Sequence, residues 1–314
     1  MTATTDSPYD WTPHQLDTLT GQTFVITGAN TGAGFQASRL LLAKHAQVIM
    51  LNRSSAKSTA AIAALKQEFG DDAKVSFIRM DLASLDSVRR AAQELLVHAP
   101  KITALICNAA IAQVAKHTTT AEGFESQFGV NHLGHFLLCG LLFECIDASR
   151  GRIVVVGSNA YKMGLKKIQF DDIDFTNNYS AWNAYAQSKL AQMQFAFELQ
   201  RRVEAAAKHV QVRVCHPGAS RTNLLKDTAS RVNKIIWSLL APLIAQSAQK
   251  GAWPEVMCAT HPAVKPFTLY GPTKRADMVG PVGECVLHEV ALDTAMAAKL
   301  WTVSEHKTAF TWPI

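Results

Sequence analysis

The sequence lacks most of what would tie it to a nucleic acid, a metal or a disulfide framework. Its six cysteines include no C-x-x-C pair, and they fall in apolar segments, where buried and reduced thiols are expected. Charged residues make up only 18% of the chain. The net charge of +6 admits an acidic partner, but the lysines and arginines are dispersed. There is no basic tail and no basic patch interleaved with aromatics, so no nucleic-acid partner is expected, and a phosphorylated small ligand accounts for the charge. Residues 1–20, which contain Pro8 and Pro13, lack both a basic start and an apolar core. They read as an N-terminal extension rather than a secretory signal or membrane span, and a cytoplasmic location is the expectation. Low-complexity tracts and internal repeats are also absent.

What is present is a well-filled chain, 48% hydrophobic over 314 residues, in which strand-like and helix-like segments alternate. Apolar runs suited to strands occur at 23–26, 47–51, 74–80, 102–107, 152–156 and 210–215. Helical patterns occur at 35–44, 56–69, 85–98, 124–145 and 184–201. Such alternation predicts an α/β fold, a doubly wound parallel sheet with ligands at the carboxyl ends of its strands. Residues 21–314 are expected to form one such domain.

The loop after the first strand reads Thr27-Gly28-Ala29-Asn30-Thr31-Gly32-Ala33-Gly34. Glycines admit tight turns and leave room for a pyrophosphate, which the positive end of the next helix attracts. The G-x3-G-x-G spacing differs from the G-x-G-x-x-G fingerprint and alone is also compatible with a plain turn. After the second strand, where an NAD site places an acid for the ribose 2′-hydroxyl, none occurs between Val48 and Lys57. Arg53, with Lys57 nearby, suits a 2′-phosphate instead, so NADP(H) is expected over NAD(H). The third and fourth strands end in Asp81-Leu82 and Asn108-Ala109-Ala110. An Asp there can accept from an adenine amino group, and small residues let the backbone approach a ribose; cap or turn chemistry is the alternative.

Asn131 lies among apolar residues in the 124–145 helix and needs specific partners. His132 and His135 have no third ligand near them and read as ordinary helix histidines, so no metal site is expected. Tyr185 and Lys189 are four apart, on one helix face. An adjacent ammonium favours phenolate, which predicts a lowered pKa for the Tyr185 hydroxyl and makes the pair a candidate proton donor and its tuner.

Taken together, Thr27-Gly28-x3-Gly32-x-Gly34, Asn108-Ala109-Ala110, Asn131, Ser158, Tyr185-x3-Lys189 and Pro217-Gly218 resemble, in order and spacing, the short-chain dehydrogenase/reductase family. The segments Val130 to Phe136 and Tyr185 to Ala191 are similar to its retinol-dehydrogenase-like branch. The resemblance implies a Rossmann-type sheet of about seven strands and hydride transfer between a nicotinamide and the carbonyl or alcohol carbon of an apolar small molecule. It implies that Tyr185 is the general acid/base and that Ser158 binds the reacting oxygen. Lys189 would hold the nicotinamide ribose and depress the tyrosine pKa, and Asn131 would steady a water that links Lys189 to solvent. Asp81 and Leu82 would border the adenine, and Thr222, after Pro217-Gly218, would touch the cofactor. Gly157, Asn159 and Ala33 depart from common family residues without removing a reacting group.

From Asn223 the chain turns apolar and helical, including the run Ile235 to Ala245, whose eleven residues with Pro242 inside are too few to cross a bilayer. Residues 223–260 are expected as substrate-lid helices. A packing helix and, with Arg231 and Lys234 upstream, an interfacial membrane helix are the alternatives. A short seventh strand at 266–272 and a packing helix at 291–304 complete the expectation. The protein is expected as a monomer or a homo-oligomer, with the helices carrying Phe136 and Phe195 as interface surfaces. Two further functions share parts of the pattern. One is a protochlorophyllide-reductase-like C=C reductase, which no feature demands. The other is a catalytically silent NADP(H) sensor, a class that typically loses the tyrosine or lysine kept here.

Overall fold

The computed structural model describes residues 10–147, 151–219 and 246–314. Its sheet has the strand order β3-β2-β1-β4-β5-β6-β7-β8. Strands β1 (Thr23–Thr27), β2 (Gln47–Asn52), β3 (Val75–Arg79), β4 (Ala104–Cys107), β5 (Arg152–Val156), β6 (Gln211–Cys215) and β7 (Leu269–Lys274) run parallel, and β8 (Val279–Cys285) returns antiparallel to β7. The helices used below are α1 (Gly32–Leu42), α2 (Ser55–Phe69), α3 (Leu85–His98), α4 (Gly134–Asp147), α5 (Ala181–Ala205), α6 (Ala248–Thr260) and α7 (Thr294–Thr308).

Side-chain alternation along the strands feeds two separate cores. Phe24 and Ile26 of β1 pack with Ala37 and Leu41 of α1 and Val256 of α6, whereas Val25 joins Val88 of α3, Leu142 of α4, Leu190 of α5 and Leu300 of α7. This is the doubly wound Rossmann-type arrangement read from the sequence. The strand order reverses between β1 and β4, so the chain leaves these neighbouring strands in opposite directions and opens a crevice above their carboxyl ends.

Three features differ from expectation. The sheet gains β8, a segment whose Gly280, Pro281 and Gly283 read as turn residues; proline is tolerated there because β8 is the last strand of the sheet. Trp11 bridges Val282 on that strand and is fully buried, with Leu16 and Leu19 also in the core; residues 1–9 lie outside the described residues. The second difference concerns the expected lid. Its part at 248–260 is α6, which packs against α1 and the sheet through Ala252, Val256 and Met257, a core helix and not a cover. The rest of that expectation, residues 223–245 with Arg231, Lys234 and the run Ile235 to Ala245, lies outside the described residues.

The third correction is to the expected subunit surfaces. Phe136 and Phe195 are buried, their rings 5.4 Å apart, with Trp301 and Trp312 at 5.2 and 5.6 Å from Phe136. The chain's own α7 and C-terminal tail cover these faces. Arg202 lies 4.3 Å above the Trp301 ring and closes the aromatic cluster with a cation–π contact.

Candidate active site

The glycine loop is held by close backbone approach. Gly28 has φ +67, and a Cβ there would stand 3.0 Å from Ala109; a Cβ at Gly34 would stand 2.5 Å from Asn108 Nδ2 and 2.8 Å from the Gly28 carbonyl. Asn108 Nδ2 donates to the Thr27 carbonyl at 2.8 Å and to that of Gly28 at 3.2 Å. The loops after β1 and β4 are thereby fastened together. Helix α1 begins at Gly32, inside the motif, and its N-cap Thr31 supplies no side-chain cap. The positive end of α1 is left to a ligand anion.

A buried hydrogen-bond chain that the sequence reading missed braces the same loops. Thr27 Oγ1 accepts from the Ala109 amide at 2.9 Å and meets His135 Nε2 at 2.9 Å; His135 Nδ1 lies 2.9 Å from the Asn131 carbonyl. A carbonyl can only accept, so Nδ1 carries the hydrogen and the Thr27 hydroxyl donates to Nε2. Burial pushes the His135 pKa down to about 4 and that of His132 to about 3, so both rings are neutral. His132 is anchored by Ser304 at 2.7 Å. A hydroxyl at a strand end and a histidine in an apolar helix were the available signals.

At the second strand end, Asn52 Oδ1 accepts from the Ala29 amide at 2.7 Å, and its buried Nδ2 has no hydrogen-bond partner. An amide, not an acid, ends the strand here, and Asn52 shares the cleft wall with Arg53, Ser54 and Lys57. Asp81 Oδ1 accepts from the Ala83 amide at 3.0 Å, the turn chemistry left open above, while Asp81 and Leu82 also line the cleft.

At the other end, Ser158 closes β5 and hydrogen-bonds Tyr185. Tyr185 is buried against Ala112, Ala160 and Trp182. Its pKa is raised, not lowered: burial disfavours the phenolate, and only the Ser158 hydrogen bond pulls the other way. The Lys189 Nζ lies 6.0 Å from the Tyr185 ring centroid and donates instead to the Val156 carbonyl at 3.1 Å and Gln192 Oε1 at 2.8 Å. Burial lowers the Lys189 pKa to about 8, while Glu255 and Cys215 pull it up.

Asn131 sits in a π-helical turn, Gly129–Leu133, that opens into α4; such turns insert one residue into the ladder and re-aim a side chain. Its Oδ1 accepts from the Ile111 amide, and its Nδ2 donates to the Ile111 carbonyl and to Ser188 Oγ, each at 2.9 Å. The side chain clamps the loop after β4.

One cleft of about 680 Å3 runs through these groups. Along its wall stand Gly28, Asn30, Thr31, Gly32, Arg53, Asp81, Leu82, Asn108, Ala109, Ser158, Tyr185, Lys189, Pro217 and Gly218. Gly34 and Asn131 stand behind it, and Thr222 lies outside the described residues. The cradle fits a dinucleotide: its loops pack too closely at Gly28 and Gly34 to admit a Cβ, and a helix end and two cations line its first half. Gln113, Thr118 and Ser126 also line the wall, and nothing in their local sequence singled them out.

Residues 22–170 match the family model for short chain dehydrogenase. Retinol dehydrogenase 14 of Mus musculus is 37% identical over 298 residues, covering 91% of this chain and 85% of that protein. Polyprenol dehydrogenase of Homo sapiens is 33% identical over 77% of this chain and 73% of its own length. Among solved structures, an uncharacterized protein from Mycobacterium Paratuberculosis superposes with a TM-score of 0.80 at 34% identity, covering 97% of this chain and 99% of that one.

Proposed function

Because the chain belongs to the short-chain dehydrogenase/reductase family, on its retinol-dehydrogenase-like branch, we propose that it is an NADP(H)-dependent oxidoreductase in which Tyr185 exchanges the proton. Family membership makes the reaction class hydride transfer between a nicotinamide and an alcohol or carbonyl group. The observation that carries the finer reading is the cleft itself. It joins Arg53 and Lys57 at one end to Ser158, Tyr185 and Lys189 at the other, with no acid at the end of β2.

In the reductive direction the Tyr185 hydroxyl donates its proton to the substrate oxygen, and in the oxidative direction it takes that proton back. The raised pKa keeps Tyr185 protonated at neutral pH, the form that donates. Ser158 holds the same oxygen through its hydroxyl as charge develops there. Lys189 presents an ammonium that a ribose hydroxyl can accept from, and Asn131 fixes the loop from Asn108 to Ile111 on which the ribose and nicotinamide would rest. The nicotinamide, when bound, supplies or accepts the hydride. Gly28, Asn30, Thr31, Gly32, Gly34, Asn108, Ala109, Pro217 and Gly218 form the nucleotide cradle, Arg53 takes the 2′-phosphate, and Asp81 and Leu82 border the adenine.

The substrate proposed is an apolar alcohol or carbonyl compound. The wall that Ala112, Ala160 and Trp182 build around Tyr185 supports it, as do relatives named for retinol and polyprenol. A panel of apolar aldehydes and ketones, assayed with NADPH against wild type and Tyr185→Phe, tests the reading. Turnover by wild type with loss in the variant is the expected outcome, and equal turnover by both proteins would overturn the role given to Tyr185.

A further inference from the structure

Glu255 is a fully buried carboxyl on α6, and neither of its oxygens has a hydrogen-bond partner among the described residues. Bare burial of a carboxyl costs several kcal/mol unless a counter-charge or proton offsets it. Its helix packs on β5 and β6 from the face opposite α5, and its carboxyl interacts electrostatically with Cys215 at the end of β6. Lys189 of α5 reaches β5 from the other face, with Nζ on the carbonyl of Val156, the last residue of β5. Gln192, which accepts from Lys189, leaves its own Nε2 buried and unpaired. A buried lysine with a half-satisfied amide beside it on one face of the sheet, and an unpaired buried carboxyl on the other, thus interact electrostatically across β5 and β6.

The other ionisable groups on the elements around α6 are committed elsewhere. Arg39 of α1 is paired with Glu68, Arg152 of β5 donates to the Cys258 and His261 carbonyls, and Arg213 of β6 donates to Gln211. Tyr270 of β7 and Glu284 of β8 meet each other and Lys265. Among the described residues, the titratable groups that interact electrostatically with Glu255 are Lys189 and Cys215, the residue that ends β6. A buried thiol carries no charge of its own near neutral pH, which leaves Lys189 as the cation Glu255 answers.

We propose that Glu255 is a positioning residue for the reaction, the internal counter-charge that keeps the Lys189 ammonium protonated and aimed across the end of β5. The inference rests on the reading of Lys189 as a ribose-binding ammonium. Burial alone favours the neutral amine, and a carboxylate across the strand ends opposes that loss. The carboxyl is itself raised to about 8 by burial, with Lys189 pulling it down, so the two groups titrate as a pair.

The test is NADPH affinity of the full chain, measured by nucleotide fluorescence from neutral to alkaline pH, which needs no turnover. In wild type, affinity falls on the alkaline side as Lys189 loses its proton. Glu255→Gln is expected to move that fall about one pH unit toward acid, Glu255→Leu to do the same, and Glu255→Asp to restore it. Lys189→Met is the control and abolishes the fall. An unmoved alkaline limb in both uncharged variants, with the limb still lost in Lys189→Met, would overturn the role of Glu255 alone, whatever the change in melting temperature. A wild type without any alkaline limb would overturn the reading of Lys189 and this inference with it.

Discussion

The two ends of the cleft are built on different physics. The end that faces Arg53 is made of backbone, glycine and cations on a solvated loop. The end that faces Tyr185 is made of side chains removed from water: Tyr185, Lys189 and Glu255 are all buried. In the first, charge is fixed and exposed, so recognition follows Coulomb attraction screened by salt. In the second, burial competes with charge, and it wins for both the tyrosine, whose pKa rises, and the lysine, whose pKa falls. Specificity for the nucleotide is therefore expected to depend on ionic strength, and proton exchange on pH.

The sharpest break in that contrast is expected from Tyr185→Phe. Deleting one hydrogen-bonding oxygen at the buried end is expected to lower kcat by about 10²- to 10⁴-fold with NADPH affinity nearly unchanged, checked by steady-state rates beside a nucleotide titration. Lys189→Met is expected to lower kcat/KM by about 10²-fold or more and to weaken NADPH binding too, since Lys189 serves both ends of the reaction. At the solvated end, Arg53→Asp is expected to weaken NADPH by about 10- to 100-fold, the worth of one or two charge-assisted hydrogen bonds, while kcat at saturating nucleotide changes little. Parallel titrations with NADH read the reversal.

Gly34→Ala is expected to cost about 1–3 kcal/mol of stability, read by denaturant unfolding, because the new Cβ meets Asn108 and a backbone carbonyl that cannot yield. The smallest effect expected is that of salt. Raising ionic strength from about 0.05 to 0.2 M is expected to weaken NADPH binding by only a few-fold through Arg53 and Lys57. The alkaline fall in affinity near pH 8 that Lys189 governs is expected to stay in place, because buried charges are poorly screened. The sign of that fall follows from the depressed pKa: Lys189 is charged below about 8 and neutral above it.

That the glycine loop and Arg53 share one cleft wall was legible in the sequence, because both follow strands whose apolar runs are local features. The parallel sheet was legible for the same reason, through its apolar runs. β8 was not, since Pro281 and two glycines are tolerated only by virtue of its edge position, which depends on the whole sheet. Nor was the pKa of Tyr185: the i, i+4 spacing puts Lys189 on the right face, but its neighbour Gln192 and Val156, which folding brings close, draw its ammonium away. Phe136 and Phe195 read as free surface because the residues that cover them, Trp301 and Trp312, lie more than a hundred positions later in the chain. Glu255, a lone acid in an apolar helix, carries no local signal of a role. Its meaning comes from Lys189 across the sheet.

The most direct measurement is a paired titration of the purified full-length chain with NADPH and NADH, by nucleotide fluorescence at low salt, with Arg53→Asp alongside. NADPH is expected to bind at least about tenfold more tightly than NADH, with the preference reversed in the variant. Equal affinity for the two nucleotides, unmoved by the substitution, would contradict the assignment of Arg53 and the NADP(H) reading of the cleft.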